Sequence, residues 1–77
     1  MEKISDLVLA TTLVSLGHKI THLERDSADR KRVNMYFDKN NSLESDINDF
    51  WNGDSKVDPK SFGNHMRDIK TRVSNTN

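Results

Sequence analysis

The chain has no cysteine. That removes disulfides, thiolate nucleophiles and cysteine-ligated zinc together, and it fits a reducing compartment. Large apolar side chains are scarce as well: Leu, Ile, Val and Phe supply 18 of the 77 residues. This is just above the level at which disorder becomes the default. A chain this short buries only about 60–65% of its unfolded surface. We therefore expect one small folded domain over residues 1–77, with a thin core that homodimerisation would thicken. A membrane-spanning run is also missing. The longest uncharged stretch, Leu7 to Gly17, has eleven residues, against about 20 for a bilayer. Glu2 and Asp6 flank it, where a signal peptide would carry a basic region. The expectation is a soluble, unprocessed cytoplasmic protein with no membrane partner.

Net charge is absent too, with twelve basic and twelve acidic residues. Their distribution is uneven. Residues 1–37 carry six basic and five acidic side chains, residues 38–58 two and six, and residues 59–77 four and one. The chain has an acidic middle and a basic end, but no overall pull toward nucleic acid or anionic lipid.

What is present is organised around Ser5–Gly17, SDLVLATTLVSLG. Ser5 is placed to cap a helix, Asp6 suits the positive end of its dipole, and Ile4 with Leu9 has the spacing of a hydrophobic staple. At 100° per residue Leu7, Leu9, Ala10, Leu13, Val14 and Leu16 share one half of the helix. Val8, Thr11, Thr12 and Ser15 share the other, and Gly17 supplies the stop. Val33, Met35 and Phe37 alternate with Arg32, Asn34 and Tyr36, the pattern of a half-buried strand. Ile20 and Leu23 mark a partner strand, provided a bulge brings them to one face. The polar run Asp26–Arg30 joins the two as a hairpin.

Leu43, Ile47, Phe50 and Trp51 then form the stripe of a short acidic helix, capped by Asn41 or Ser42 and stopped by Gly53. This stripe favours a core position for Trp51. Asp58-Pro59 opens a last helix whose apolar face is Phe62, Met66, Ile69 and Val73. The expected architecture is α+β in the order α-β-β-α-α. Helices pack on a two-stranded antiparallel hairpin, residues 1–3 and 74–77 are frayed, and the weak sheet calls for helix cover or hairpin pairing across a dimer.

Several stretches together are familiar. SDLVLATTLVSLGHKI resembles the opening of a family of small uncharacterised domains found widely in phage and prokaryotic genomes. RVNMYF, the WNG of Trp51–Gly53, and VDPKSF at Val57–Phe62 before a helix ending KTRV are similar to it too. The resemblance covers residues 4–73. It implies a phage or mobile-element setting and no particular activity, because the family is one of unknown function.

Chemical signatures are weak. His18 and His22 are four apart, but on a strand that is about 13 Å, too far for one ion. Zinc in any case needs three or four convergent ligands. Asp38, Asn40, Ser42 and Glu44 alternate as in a calcium loop, yet the sixth and twelfth positions hold Leu43 and Asp49 in place of Gly and Glu. No nucleophile elbow, phosphate loop or dinucleotide fingerprint is present. We expect no catalytic residue, no cofactor, no metal and no small-molecule substrate.

Three binding surfaces remain. The acidic segment offers Asp46, Asp49, Trp51 and Asp54, joined by Tyr36 on the strand, to a protein partner. Val8, Thr11, Thr12 and Ser15 form an uncharged helical face suited to self-association, or equally to lying against the chain's own sheet. Arg30, Lys31, Arg32, Lys60, Arg67 and Lys70 offer cations to nucleic acid, with Tyr36 available for stacking. The expected function is that of a non-enzymatic, phage-type accessory protein that binds a protein partner, for example one directed at the host or its defences. A small nucleic-acid-associated regulator is the alternative, and a virion or assembly component the third.

Overall fold

A computed structural model describes residues 1–76. Six elements follow in the order β1 (Glu2–Ile4), α1 (Leu7–Ser15), β2 (Ile20–Arg25), β3 (Val33–Phe37), α2 (Asn41–Asn52) and α3 (Pro59–Ser74). The strands form one antiparallel sheet in the order β1-β3-β2. β1 and β2 therefore run the same way, α1 connects them, and β3 fills the gap between. This is the split β-α-β arrangement.

The α+β class and the β2–β3 hairpin are as expected from the sequence, and the two-stranded sheet is corrected to three strands. β1 pairs Glu2, Lys3 and Ile4 with Phe37, Tyr36 and Met35, so Glu2 and Lys3 belong to the sheet and not to a frayed end. Three residues are too few to leave an alternating pattern. At the other end, α3 runs to Ser74 and Asn75 caps it. Arg25 donates from Nε and Nη2 to the Thr76 carbonyl at 3.2 and 2.8 Å, and from Nη2 to the Val73 carbonyl at 3.3 Å. A guanidinium across the last carbonyls satisfies groups that a helix end leaves open. The expected fraying from residue 74 is thereby corrected through Thr76, and Asn77 lies outside the described residues.

Local chemistry sets the boundaries. α1 is capped by Asp6 rather than Ser5, its Oδ1 accepting the Leu9 N–H at 3.0 Å. With β1 ending at Ile4, the two-residue connection leaves Asp6 as the last extended position before the helix. Gly17, at φ 102°, ends α1 as predicted, with the His18 and Gly17 N–H groups donating to the Leu13 and Val14 carbonyls. This is a Schellman stop. Asn40 caps α2, its Oδ1 accepting the Leu43 N–H at 2.8 Å. The cap is one residue before Asn41, which with Ser42 is already helical. Asp58 and Pro59 open α3 as the sequence indicates. The bulge between Ile20 and His22 brings Ile20 opposite Phe37 and Leu23 opposite Met35, on one face.

That face meets the helices. Ile4, Leu9, Ala10, Leu13, Met35, Phe37, Leu43 and Ile69 form the core. α1 packs against both α3 and α2, and five consecutive residues from Leu9 to Leu13 are buried. The self-association offered for Thr11 and Thr12 is corrected: they are 0% and 3% exposed within one chain, so its own elements cover that side. Their hydroxyls donate to the Leu7 and Val8 carbonyls at 2.7 and 2.9 Å, so burial leaves no donor unpaired. Only Val8, 47% exposed, and half-buried Ser15 keep contact with solvent.

The opposite face of the sheet is polar. Lys3, His22 and Glu24 are exposed there, and buried Asn34 donates from Nδ2 to Asp26 Oδ2 at 3.2 Å. Asp26 Oδ1 also accepts the Ala28 and Asp29 N–H groups at 2.8 and 2.9 Å, folding the hairpin loop around one carboxylate. These bonds, with that from Asp29 the largest influence and Lys3 adding its charge, hold the Asp26 carboxyl below its ordinary 3.8. A carboxyl depressed on folding stabilises the fold above its ordinary value and loses that contribution as pH falls through the folded one. The urea midpoint of the wild type should therefore exceed that of Asp26→Asn at neutral pH, and the gap should close between about pH 5 and pH 2. A gap independent of pH would contradict this role.

Candidate functional site

α2 is amphipathic, and Leu43 is its one fully buried side chain. Ile47 and Phe50 pack partly against the core. Trp51 does not join them. Although it continues the stripe, it stands 63% exposed, which corrects the core placement favoured by the sequence. The reason lies in the helical angle. At 100° per residue Trp51 lies about 80° round from Leu43, on the last turn. The Phe50 ring meets it edge to face, with centroids 4.9 Å apart and planes at 82°. The indole is thus braced on a regular helix while most of its surface meets water.

Of the acidic residues the sequence singles out, only Asp54 stays beside Trp51. Asp46 and Asp49 lie on the other flank of α2, about 140° and 160° from Trp51. Asp46 Oδ2 is 2.6 Å from His18 Nε2, tying α2 to the chain just after α1. Asp49 is half-buried, and its carbonyl accepts the Asp54 N–H at 2.8 Å. Glu44 lies on the Trp51 flank instead, and Glu2 faces it from β1. With Ile47 and Asn48 they line a shallow recess of about 350 Å³, one turn along α2 from the indole. Glu44 was legible as the residue seven before Trp51, a two-turn spacing. Glu2 was not, because nothing in the sequence announced β1. Exposed Asp54 follows the Gly53 stop.

Tyr36 sits apart, on the polar face of the sheet. Its ring stacks on His22 with centroids 4.3 Å apart and planes within 6°, so one of its faces is already occupied.

The six cations do not make one stripe. Lys31, Arg32 and Lys70 come together around a groove of about 530 Å³ between the start of α1, the hairpin loop and the end of α3. Lys60 lies in the first turn of α3, ten residues from Lys70. Arg67 turns toward Asn64, donating from Nη1 to Oδ1 at 3.3 Å. Arg30 takes part through its carbonyl, which accepts from Arg25 Nη1 at 2.8 Å. Among the described residues, no group of three or more His, Asp or Glu side chains is arranged to hold a metal ion. Among those residues, too, no helix is long and apolar enough to cross a membrane.

Residues 2–75 match the model of the family described as Domain of unknown function (DUF5659), and the chain belongs to that family. No curated protein matches it, and no solved structure does.

Because the chain has a single tryptophan, its exposure has a direct readout. The native protein should emit at the red edge typical of water-exposed indole and be quenched by acrylamide almost as readily as the urea-unfolded chain. Trp51→Ala should change unfolding free energy by no more than about 1 kcal/mol. Blue-shifted, poorly quenched emission would return Trp51 to the core.

Proposed function

We propose that the chain is a non-enzymatic protein-binding module that engages its partner through Trp51 and the acidic shoulder formed by Glu44, Glu2 and Asp54. The observation that carries this reading is the braced, exposed indole on α2. A chain short of apolar side chains gains most by burying the largest one, yet this one leaves it outside. Covering it with a partner would contribute about 2–4 kcal/mol of hydrophobic free energy. Tryptophan is also the residue most enriched among interface hot spots. The partner surface that fits is an apolar recess rimmed by basic side chains. The family resemblance supports an accessory role of the phage type, for example one directed at a host or defence protein.

Nucleic acid is the second reading, favoured by the convergence of Lys31, Arg32 and Lys70. Their groove has an apolar floor, however, whereas a phosphate track is polar throughout, and Lys60 and Arg67 lie outside it.

The test is affinity capture with four baits. Wild type should retain one stoichiometric protein that Trp51→Ala and Glu44→Lys lose by tenfold or more, and that Tyr36→Ala keeps. Retention by Trp51→Ala with loss on Tyr36→Ala would move the site to the sheet. Capture of nucleic acid that salt removes would favour the second reading.

A further inference from the structure

The groove that gathers Lys31, Arg32 and Lys70 exists because β1 stops early. β1 pairs β3 only from Phe37 to Met35, while β3 continues to Val33, and the chain turns away at Ser5 into α1. Leu7, Val33, Met35 and Val73 floor the space left open. Its rim carries three cations against a single carboxylate, Asp29. Asp29 is already engaged, with its Oδ1 accepting the Lys31 N–H at 3.1 Å. An apolar floor under a cationic rim takes an apolar side chain flanked by carboxylates.

The same chain presents that chemistry elsewhere. Glu44 lies on the Trp51 side of α2, two turns before it, and exposed Asp54 follows the Gly53 stop. We propose that the occupant of the groove is the Trp51 end of a second copy, with the indole against Leu7, Val33, Met35 and Val73 and its carboxylates toward Lys31, Arg32 and Lys70. This rests on the Trp51 reading above and names one partner for it. Opposite charge on the two surfaces guides their encounter and sets orientation. The groove and the Trp51 end share no residue, so each copy can give and receive at once. Such a head-to-tail contact extends into chains unless its rotation happens to close a ring. One indole and a few exposed ion pairs make a weak contact, which salt weakens further.

Sedimentation velocity of the full chain, from micromolar to millimolar at low salt, tests this. The mean mass should climb continuously above the 8.9 kDa of one chain and fall back when salt is raised. Trp51→Ala alone, and Lys31→Glu with Lys70→Glu, should each stay at one chain mass. All three positions are exposed, so circular dichroism should show each variant folded. Mixed in equal amounts, the two variants should form a dimer that grows no further, because one supplies an intact groove and the other an intact indole. A wild type that stays monomeric throughout overturns the proposal, as does a mixture that fails to dimerise. So does a closed dimer that Trp51→Ala retains. If the wild type is monomeric while its capture of another protein still depends on Trp51, the second copy is ruled out and the Trp51 reading stands.

Discussion

The structure depends on enclosing α1. Nine residues long and without charge, it carries the densest set of aliphatic side chains in a chain that has few. Leaving half of it in water would forfeit much of the available hydrophobic free energy, at about 25 cal/mol per Å² of apolar surface. The sheet meets it through Ile4, Met35 and Phe37, and α2 and α3 meet it through Leu43 and Ile69. Ala10, Thr11 and Thr12 are small enough to let neighbours approach closely. The threonine hydroxyls return to their own helix, so the polar side is buried at little cost.

Enclosure explains the rest of the architecture. α2 and α3 are held by one fully buried side chain each, Leu43 and Ile69. Polar ties supplement these. His18 meets Asp46 at one side, and Arg25 gathers the carbonyls of Val73 and Thr76 at the other. Against that economy, an exposed tryptophan stands out. Its surface would add to the core if the fold could reach it, and the helical angle of α2 directs it outward instead.

Much of this was legible in the sequence where one or two residues carry a geometric demand. Gly17 had to end α1, Asp58-Pro59 had to open α3, and Ile20 with Leu23 required the bulge that β2 has. The misses share a different cause. β1 is three residues long and owes its existence to the unpaired edge of β3, a demand of the sheet rather than of Glu2–Ile4. The absence of charge around Thr11 and Thr12 signals a cover without saying whose, and only the fold shows α2 and α3 packed on α1. At the candidate site, Trp51 is legible as a residue, but the stripe counts it inward although it lies about 80° round from Leu43. Glu2 joined it only through β1. The cations were counted correctly, but only the fold shows that Lys31, Arg32 and Lys70 meet while Lys60 and Arg67 do not.

The threonine side of α1 is covered by the chain itself and not by a second copy. One pair of lysine substitutions tests it, read by urea denaturation followed by circular dichroism. Thr11→Lys should abolish the cooperative transition, because a charge would be forced into a fully enclosed site. Val8→Lys, at a position already 47% exposed, should shift stability by no more than about 0.5 kcal/mol. A Thr11→Lys protein that folds with wild-type stability would contradict the account and return that face to solvent or to a partner.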